Sequence, residues 1–121
     1  MKYCWTTINV KNMDTSVDFY STIIGLPLVR RFKSPTGLEI AFLGSGDTQV
    51  ELLFDPQVTS VDFGSDISLG FEVDSLDTIT KTLSEYAIPV HSGPFKPNPT
   101  IQFIYILDPN GVKIQFVEHI R

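Results

Sequence analysis

The amino-acid sequence predicts an α+β fold: two tandem βαβββ units whose curved sheets surround a cup. Three observations predict it. The hydrophobic pattern gives the order β-α-β-β-β twice in 121 residues. Residues recur at matched places in the two halves. Four of the strands each carry one aliphatic face and one mixed face that is neither plainly solvated nor plainly core.

The elements follow in chain order. A first strand over 3–10 sets Cys4, Thr6, Ile8 and Val10 against Tyr3, Trp5, Thr7 and Asn9. Asn12 is placed to cap a helix with Met13, Val17, Tyr20 and Ile24 on one stripe, stopped by Gly25 and Pro27. Strands are predicted over 28–34, 37–44 and 48–54; in the last, Val50, Leu52 and Phe54 oppose Gln49, Glu51 and Leu53. The segment DPQVTSVDFGSD, 55–66, reads as a linker. Next comes a strand over 67–73, with Ile67, Leu69, Phe71 and Val73 opposite Ser68, Gly70 and Glu72. Ser75 is placed to cap a second helix carrying Leu76, Ile79, Leu83 and Tyr86, which stops before Pro89. Strands over 89–95, 101–107 and 112–118 complete the pattern, the last with Val112, Ile114 and Phe116 against Lys113, Gln115 and Val117. The whole chain, 1–121, is thus expected to be one domain made of unit 1 (1–54), the linker and unit 2 (67–121).

The repeat is visible in the residues. A shift of 63 carries Val10, Asp14, Thr15 and Ser21 onto Val73, Asp77, Thr78 and Ser84. A shift of 62 carries LPL (26–28) onto IPV (88–90), and one of 64 carries QVELL (49–53) onto KIQFV (113–117). Both hairpins follow a turn signal and place one polar side chain among apolar ones: Glu51 in the first, Gln115 in the second.

The aliphatic faces are expected to pack on the helices. The mixed faces hold Tyr3, Trp5, Leu53 and Val117, which are costly to expose together, and the strand IQFIYIL (101–107) needs cover on both sides. Two curved sheets enclosing a mostly apolar pocket with a few polar groups meet these demands, and such a pocket suits a small molecule.

Composition narrows the functions. Hydrophobic residues at 42% and charged residues at 19% are ordinary for a soluble globular protein. A net charge of −5 argues against nucleic acid, because the nearest basic run is only RRFK, Arg30 to Lys33. No apolar run is long enough for a bilayer, and MKYCWTTINV lacks the stretch of a signal peptide. The single cysteine, Cys4, cannot make an internal disulfide, so a cytoplasmic location is expected. Cys4 falls on the helix-facing parity, which reads as a buried, inert thiol.

The paired units, the stretch SVDFYSTIIGLPLV and the hairpin DPNGVKIQFVE resemble the glyoxalase/bleomycin-resistance/extradiol-dioxygenase, or vicinal oxygen chelate, superfamily over essentially the whole chain. The resemblance implies a glyoxalase-like fold but not one chemistry, since relatives include isomerases, lyases, dioxygenases and metal-free drug binders. In the metal-dependent relatives four side chains, two from each unit, bind one divalent metal. Carried over by motif, those positions are Trp5, Glu51, Ser68 and Gln115, where the family pattern has His, Glu, His and Glu. The repeat agrees, because shifts of 63 and 64 take position 5 to 68 and 51 to 115. No cofactor is therefore expected.

Several further residues are candidates. Trp5 offers a platform for a planar or cationic ligand or simply fills space, and Glu51 is either an anchor for a ligand cation, a base, or a structural acceptor. Gln115 and Ser68 suit hydrogen bonding to a ligand or water. Tyr105 and Phe103 line either pocket or core. One of Arg30 and Arg31 must face away from the helices and, at the pocket, would hold a carboxylate. His119, four residues beyond Gln115 and roughly 13 Å from it, and His91, in a Pro/Gly-rich segment, give no metal cluster by spacing. The function expected is metal-independent capture of a small aromatic or cationic molecule, with possible drug or toxin resistance. The alternative is a glyoxalase I-type lyase or isomerase using a divalent metal, with Glu51 as base. The resemblance also implies a homodimer, in which the site is built within one chain or across two.

Overall fold

The computed structural model describes residues 1–120; Arg121, the last residue of the expected second unit, lies outside the described residues. The elements in order are β1 (Trp5–Asn9), α1 (Met13–Asp18), a π-helical turn (Phe19–Ile23), β2 (Leu28–Lys33), β3 (Glu39–Leu43) and β4 (Gln49–Phe54). The same order returns as β5 (Ser68–Glu72), α2 (Leu76–Glu85), β6 (Ser92–Asn98), β7 (Ile101–Leu107) and β8 (Lys113–His119). The chain divides into two compact units, Met1–Asp62 and a second from Phe63 onward, a division inside the segment read as a linker. Each unit holds one four-stranded sheet, ordered β1-β4-β3-β2 in the first and β5-β8-β7-β6 in the second. In both, the first and last strands pair in parallel and the remaining pairs are antiparallel. The tandem βαβββ reading is the observed fold.

In unit 1, Asn12 caps α1 as expected: its side-chain oxygen accepts the Thr15 N–H at 2.9 Å. The helix then widens, the Ile24 N–H reaching the Phe19 carbonyl at 3.2 Å. Gly25, at φ +86°, turns the chain so that the Leu26 N–H returns to the Tyr20 carbonyl at 2.9 Å. Met13, Val17, Phe19, Tyr20 and Ile23 are buried against Ile8, Val10, Ala41, Leu43, Val50 and Leu52. Each Val, Leu, Ile, Phe or Met among them contributes about 1.5–3 kcal/mol relative to exposure, so this layer holds the unit together. The stripe ends on Ile23 rather than Ile24, which is half-buried. Cys4 corrects the sequence reading more sharply. It precedes β1 and is an exposed free thiol, because the strand and its alternation begin only at Trp5.

In unit 2, the Ser75 hydroxyl accepts the Thr78 N–H at 3.2 Å, and Glu118 reaches from β8 to accept the Leu76 N–H at 2.6 Å. Two carboxylate or hydroxyl oxygens thus meet the first turn of α2, where backbone donors lack helical partners. Leu76 and Leu83 are buried with Ile104, Ile106, Val112, Ile114 and Phe116, whereas Tyr86, expected on the same stripe, is exposed because α2 ends at Glu85. The DPNG turn is built on Asp108, whose buried Oδ1 accepts the N–H groups of Asn110 and Val112, both at 2.8 Å. The strand expected at 89–95 begins three residues later, at Ser92, and Ile67 lies before β5 and is exposed. Among the described residues no helix is long and apolar enough to cross a membrane.

Candidate functional site

Strand register decides which polar side chains share a face. In unit 1, Arg30 pairs with Phe42, Phe42 with Glu51, and Glu51 with Thr7. These four form one row across all four strands, on the face opposite Ala41, Leu43 and Leu52, each at 0% exposure. Trp5 lies two residues before Thr7 on the same face. Its indole meets the Phe42 ring edge-on, with centroids 5.4 Å apart at 74°. On the other side the Arg30 guanidinium carbon sits 5.0 Å from the Phe42 centroid and 4.9 Å from that of Phe32. Phe42 therefore reaches 7% exposure although it points away from α1, while Trp5 keeps 45%. The Thr7 hydroxyl donates to Glu51 Oε1 at 2.5 Å, and Tyr3 and Thr6 join their hydroxyls in a second hydrogen bond.

The question of the two arginines is settled by their partners. Arg31 is bonded to Asp14 on α1 at 2.5 Å and to Glu39 at 2.7 Å. The hydrogen bond to Asp14, then that to Glu39, raises its pKa above the ordinary guanidinium value, so it stays charged. Arg30, one residue away on the opposite parity, shares the face with Glu51.

In unit 2 the equivalent row runs Gly70, Gln115, Tyr105 and Ser92. Gly70 leaves space beside Gln115: a Cβ there would stand 3.4 Å from the Gln115 Oε1. Phe103 lies on the same face as Tyr105, with ring centroids 5.7 Å apart, and Phe95 packs on both at 5.6 and 6.3 Å. The Lys113 Nζ sits 4.7 Å above the Tyr105 ring. An open cavity of about 520 Å³ is lined by Phe95, Lys96, Pro97, Phe103 and Tyr105. Gly93 makes this packing possible, since at φ +101° an added Cβ would lie 3.0 Å from the Phe103 carbonyl oxygen. Ser68 is exposed and pairs with Lys113 on the same face.

Within unit 1 the structure thus brings together Trp5, Glu51 and Arg30, and within unit 2 Ser68, Gln115, Tyr105 and Phe103. Sequence reasoning missed Thr7 as the Glu51 partner, Phe42 and Phe32 as the walls of Arg30, and Phe95 and Lys113 beside Tyr105. Alternation in LEIAFL held a signal for Phe42, because Ala41 and Leu43 claim the helix side. His91 and His119 are both exposed; the His91 backbone N–H pairs with the Tyr105 carbonyl, and His119 closes β8 opposite Ile101.

A duplicated βαβββ chain with one aromatic and polar sheet face per unit defines a class of protein built to present side chains from open sheets. The chain belongs to the Glyoxalase/Bleomycin resistance protein/Dioxygenase superfamily, whose family model matches residues 2–116. It is 30% identical to a lactoylglutathione lyase of Neisseria meningitidis over 98% of this chain and 91% of that protein. It is 31% identical to a probable lactoylglutathione lyase of Synechocystis over 93% of this chain and 92% of that one. Its fold matches glyoxalase I of Leishmania major with a TM-score of 0.84 at 21% identity, covering 98% of this chain and 86% of that chain. It also matches an antibiotic binding protein from Streptomyces sp. CB03234 with a TM-score of 0.75 at 20% identity, covering 98% and 96%.

The positions that the motif resemblance assigns to the metal ligands hold Trp5, Glu51, Ser68 and Gln115, and the chemistry of this donor set does not fit a divalent metal. An indole nitrogen has no lone pair to give, and a neutral serine hydroxyl is a poor ligand. Among the described residues no three His, Cys, Asp or Glu side chains cluster as a metal site.

Proposed function

We propose that the chain is a metal-independent small-molecule-binding protein of its superfamily that captures a small aromatic or cationic organic ligand. The observation that carries this reading is the set of side chains at the four family positions. Trp5 stands where the pattern wants a histidine, and it turns a half-exposed indole, braced by Phe42, toward the face that Glu51 shares. A planar ligand stacks on such a surface, and Glu51, oriented by the Thr7 hydroxyl, supplies a counter-charge or acceptor. Within the second unit, Gln115 and Ser68 offer neutral hydrogen-bonding groups on the face that also carries Tyr105 and Phe103. Sequestration of a drug or toxin is the role such capture would serve. We place the protein in the cytoplasm, as a homodimer.

A second reading is favoured by one finding, the lactoylglutathione lyases among its curated relatives. It makes the chain a lyase or isomerase that uses a divalent metal, with Glu51 moving the proton. Metal content separates the two. The protein is incubated with zinc, nickel, iron or manganese, freed of excess and analysed. Retention below roughly a tenth of an equivalent supports metal-free binding. Near-stoichiometric metal that disappears in Glu51→Gln, together with lactoylglutathione lyase activity, overturns it.

A further inference from the structure

We infer that Arg30 is an anion-recognition residue and that the ligand is an aromatic molecule bearing a carboxylate or similar oxyanion. The inference rests on the binding reading above and adds to it the charge of the ligand. Its starting point is the division of labour between two adjacent arginines. Arg31 takes both nearby carboxylates, Asp14 and Glu39. The Arg30 side chain makes no ion pair or hydrogen bond among the described residues; its partners are the rings of Phe32 and Phe42, at 4.9 and 5.0 Å. Contact with aromatic faces uses none of the five N–H donors of a guanidinium. The exposed guanidinium thus rests against two rings with its side-chain donors uncommitted, and less side-chain freedom is lost when an anion arrives.

The surroundings specify what that anion is attached to. Phe42, itself only 7% exposed, contacts both the Trp5 ring and the Arg30 guanidinium, so the cation and the half-exposed indole stand on the same stretch of sheet. A planar ligand body on Trp5 therefore brings a substituent to Arg30 without leaving the sheet. Glu51 lies two strands from Arg30 in the same row, at a spacing of about 10 Å. That separation keeps the carboxylate from neutralising the guanidinium and leaves Glu51 to accept a donor elsewhere on the same ligand. A cation left without a carboxylate on this face favours an anionic over a neutral ligand locally, against the long-range repulsion of a chain of net charge −5.

The test titrates the full chain with 2-naphthoate, its neutral counterpart 2-naphthalenemethanol and its cationic counterpart 2-naphthylmethylamine. Quenching of Trp5, the single tryptophan, reports binding, with calorimetry as a check. The expected result is that naphthoate binds at least tenfold tighter than the alcohol. Arg30→Met, which keeps the apolar stem, removes that preference while changing the affinity for the alcohol less than twofold. Arg30→Lys keeps the charge but loses the fork, and restores only part of the preference. Equal affinity for anion and alcohol, or an equal loss of both in Arg30→Met with an unaltered melting temperature, overturns the assignment and leaves the binding reading intact. Preference for the amine also overturns it. Failure of all three ligands to bind overturns both.

Discussion

Arg31 bonds its guanidinium to Asp14 and Glu39, whereas Arg30, one residue back, rests against two phenylalanine rings. Strand alternation separates them, and the exposure of Asp14, 82% at the side chain, keeps the Arg31 network modest at up to about 1 kcal/mol. Asp108 is the opposite case, a polar side chain whose burial makes it expensive to lose. At 5% exposure its Oδ1 accepts two backbone N–H groups, those of Asn110 and Val112. Asp108→Ala leaves both donors unsatisfied in the turn before β8. Chemical denaturation should register a loss of about 3 kcal/mol, with Asp108→Asn losing less because one acceptor oxygen remains. Equal stability of the alanine variant and the parent would mean that water satisfies these donors.

Helix ends were the most readable elements, because Asn12 and Ser75 do locally what their chemistry allows: an oxygen beside an uncovered N–H. The Glu118 contribution to α2 was not readable, since it comes from 42 residues away and depends on how β8 lies on the helix. The strands came through with their alternation, while β6 slid by three residues. Its Pro- and Gly-rich sequence gives no period, and its irregular pairing to β7 is set by the fit of Gly93 and Phe95 against Phe103. One helix end carries a local conflict. Ala87 follows α2 at φ +57°, in the region where a side chain costs about 1–2 kcal/mol and glycine costs nothing. The Ile88 N–H then closes on the Leu83 carbonyl at 2.9 Å, which holds the residue there. Ala87→Gly should relieve that cost and return part of it through the freer unfolded chain, for a net gain of about 0.5–1 kcal/mol. A thermal melt that moves down rather than up would show that the backbone does not stay left-handed at this position.

Across the whole chain the two units repeat one register and differ in what they place on it. The row Thr7, Glu51, Phe42, Arg30 answers the row Gly70, Gln115, Tyr105, Ser92, strand for strand. The first unit keeps a carboxylate and a cation around a phenylalanine. The second has a neutral amide, an empty place at Gly70 and a cluster of rings. The polar positions were legible because duplication repeats them, while the walls were not, because a ring's neighbours depend on side-chain direction in three dimensions. Both faces leave large apolar groups open: Trp5 at 45%, Phe32 at 40%, Phe95 at 44% and Leu107 at 42%. Aromatic and aliphatic surface of this kind, grouped on sheet faces, is costly in water and calls for a cover. A second copy of the chain is the cover consistent with the proposed homodimer. Sedimentation equilibrium at tens of micromolar should then give about 27 kDa, twice the 13.5 kDa of one chain. The mass should fall toward the single-chain value on dilution, and Trp5 emission should shift to longer wavelength as its surroundings become wetter. A mass of 13.5 kDa at every concentration would rule out self-association and leave these faces to the ligand alone.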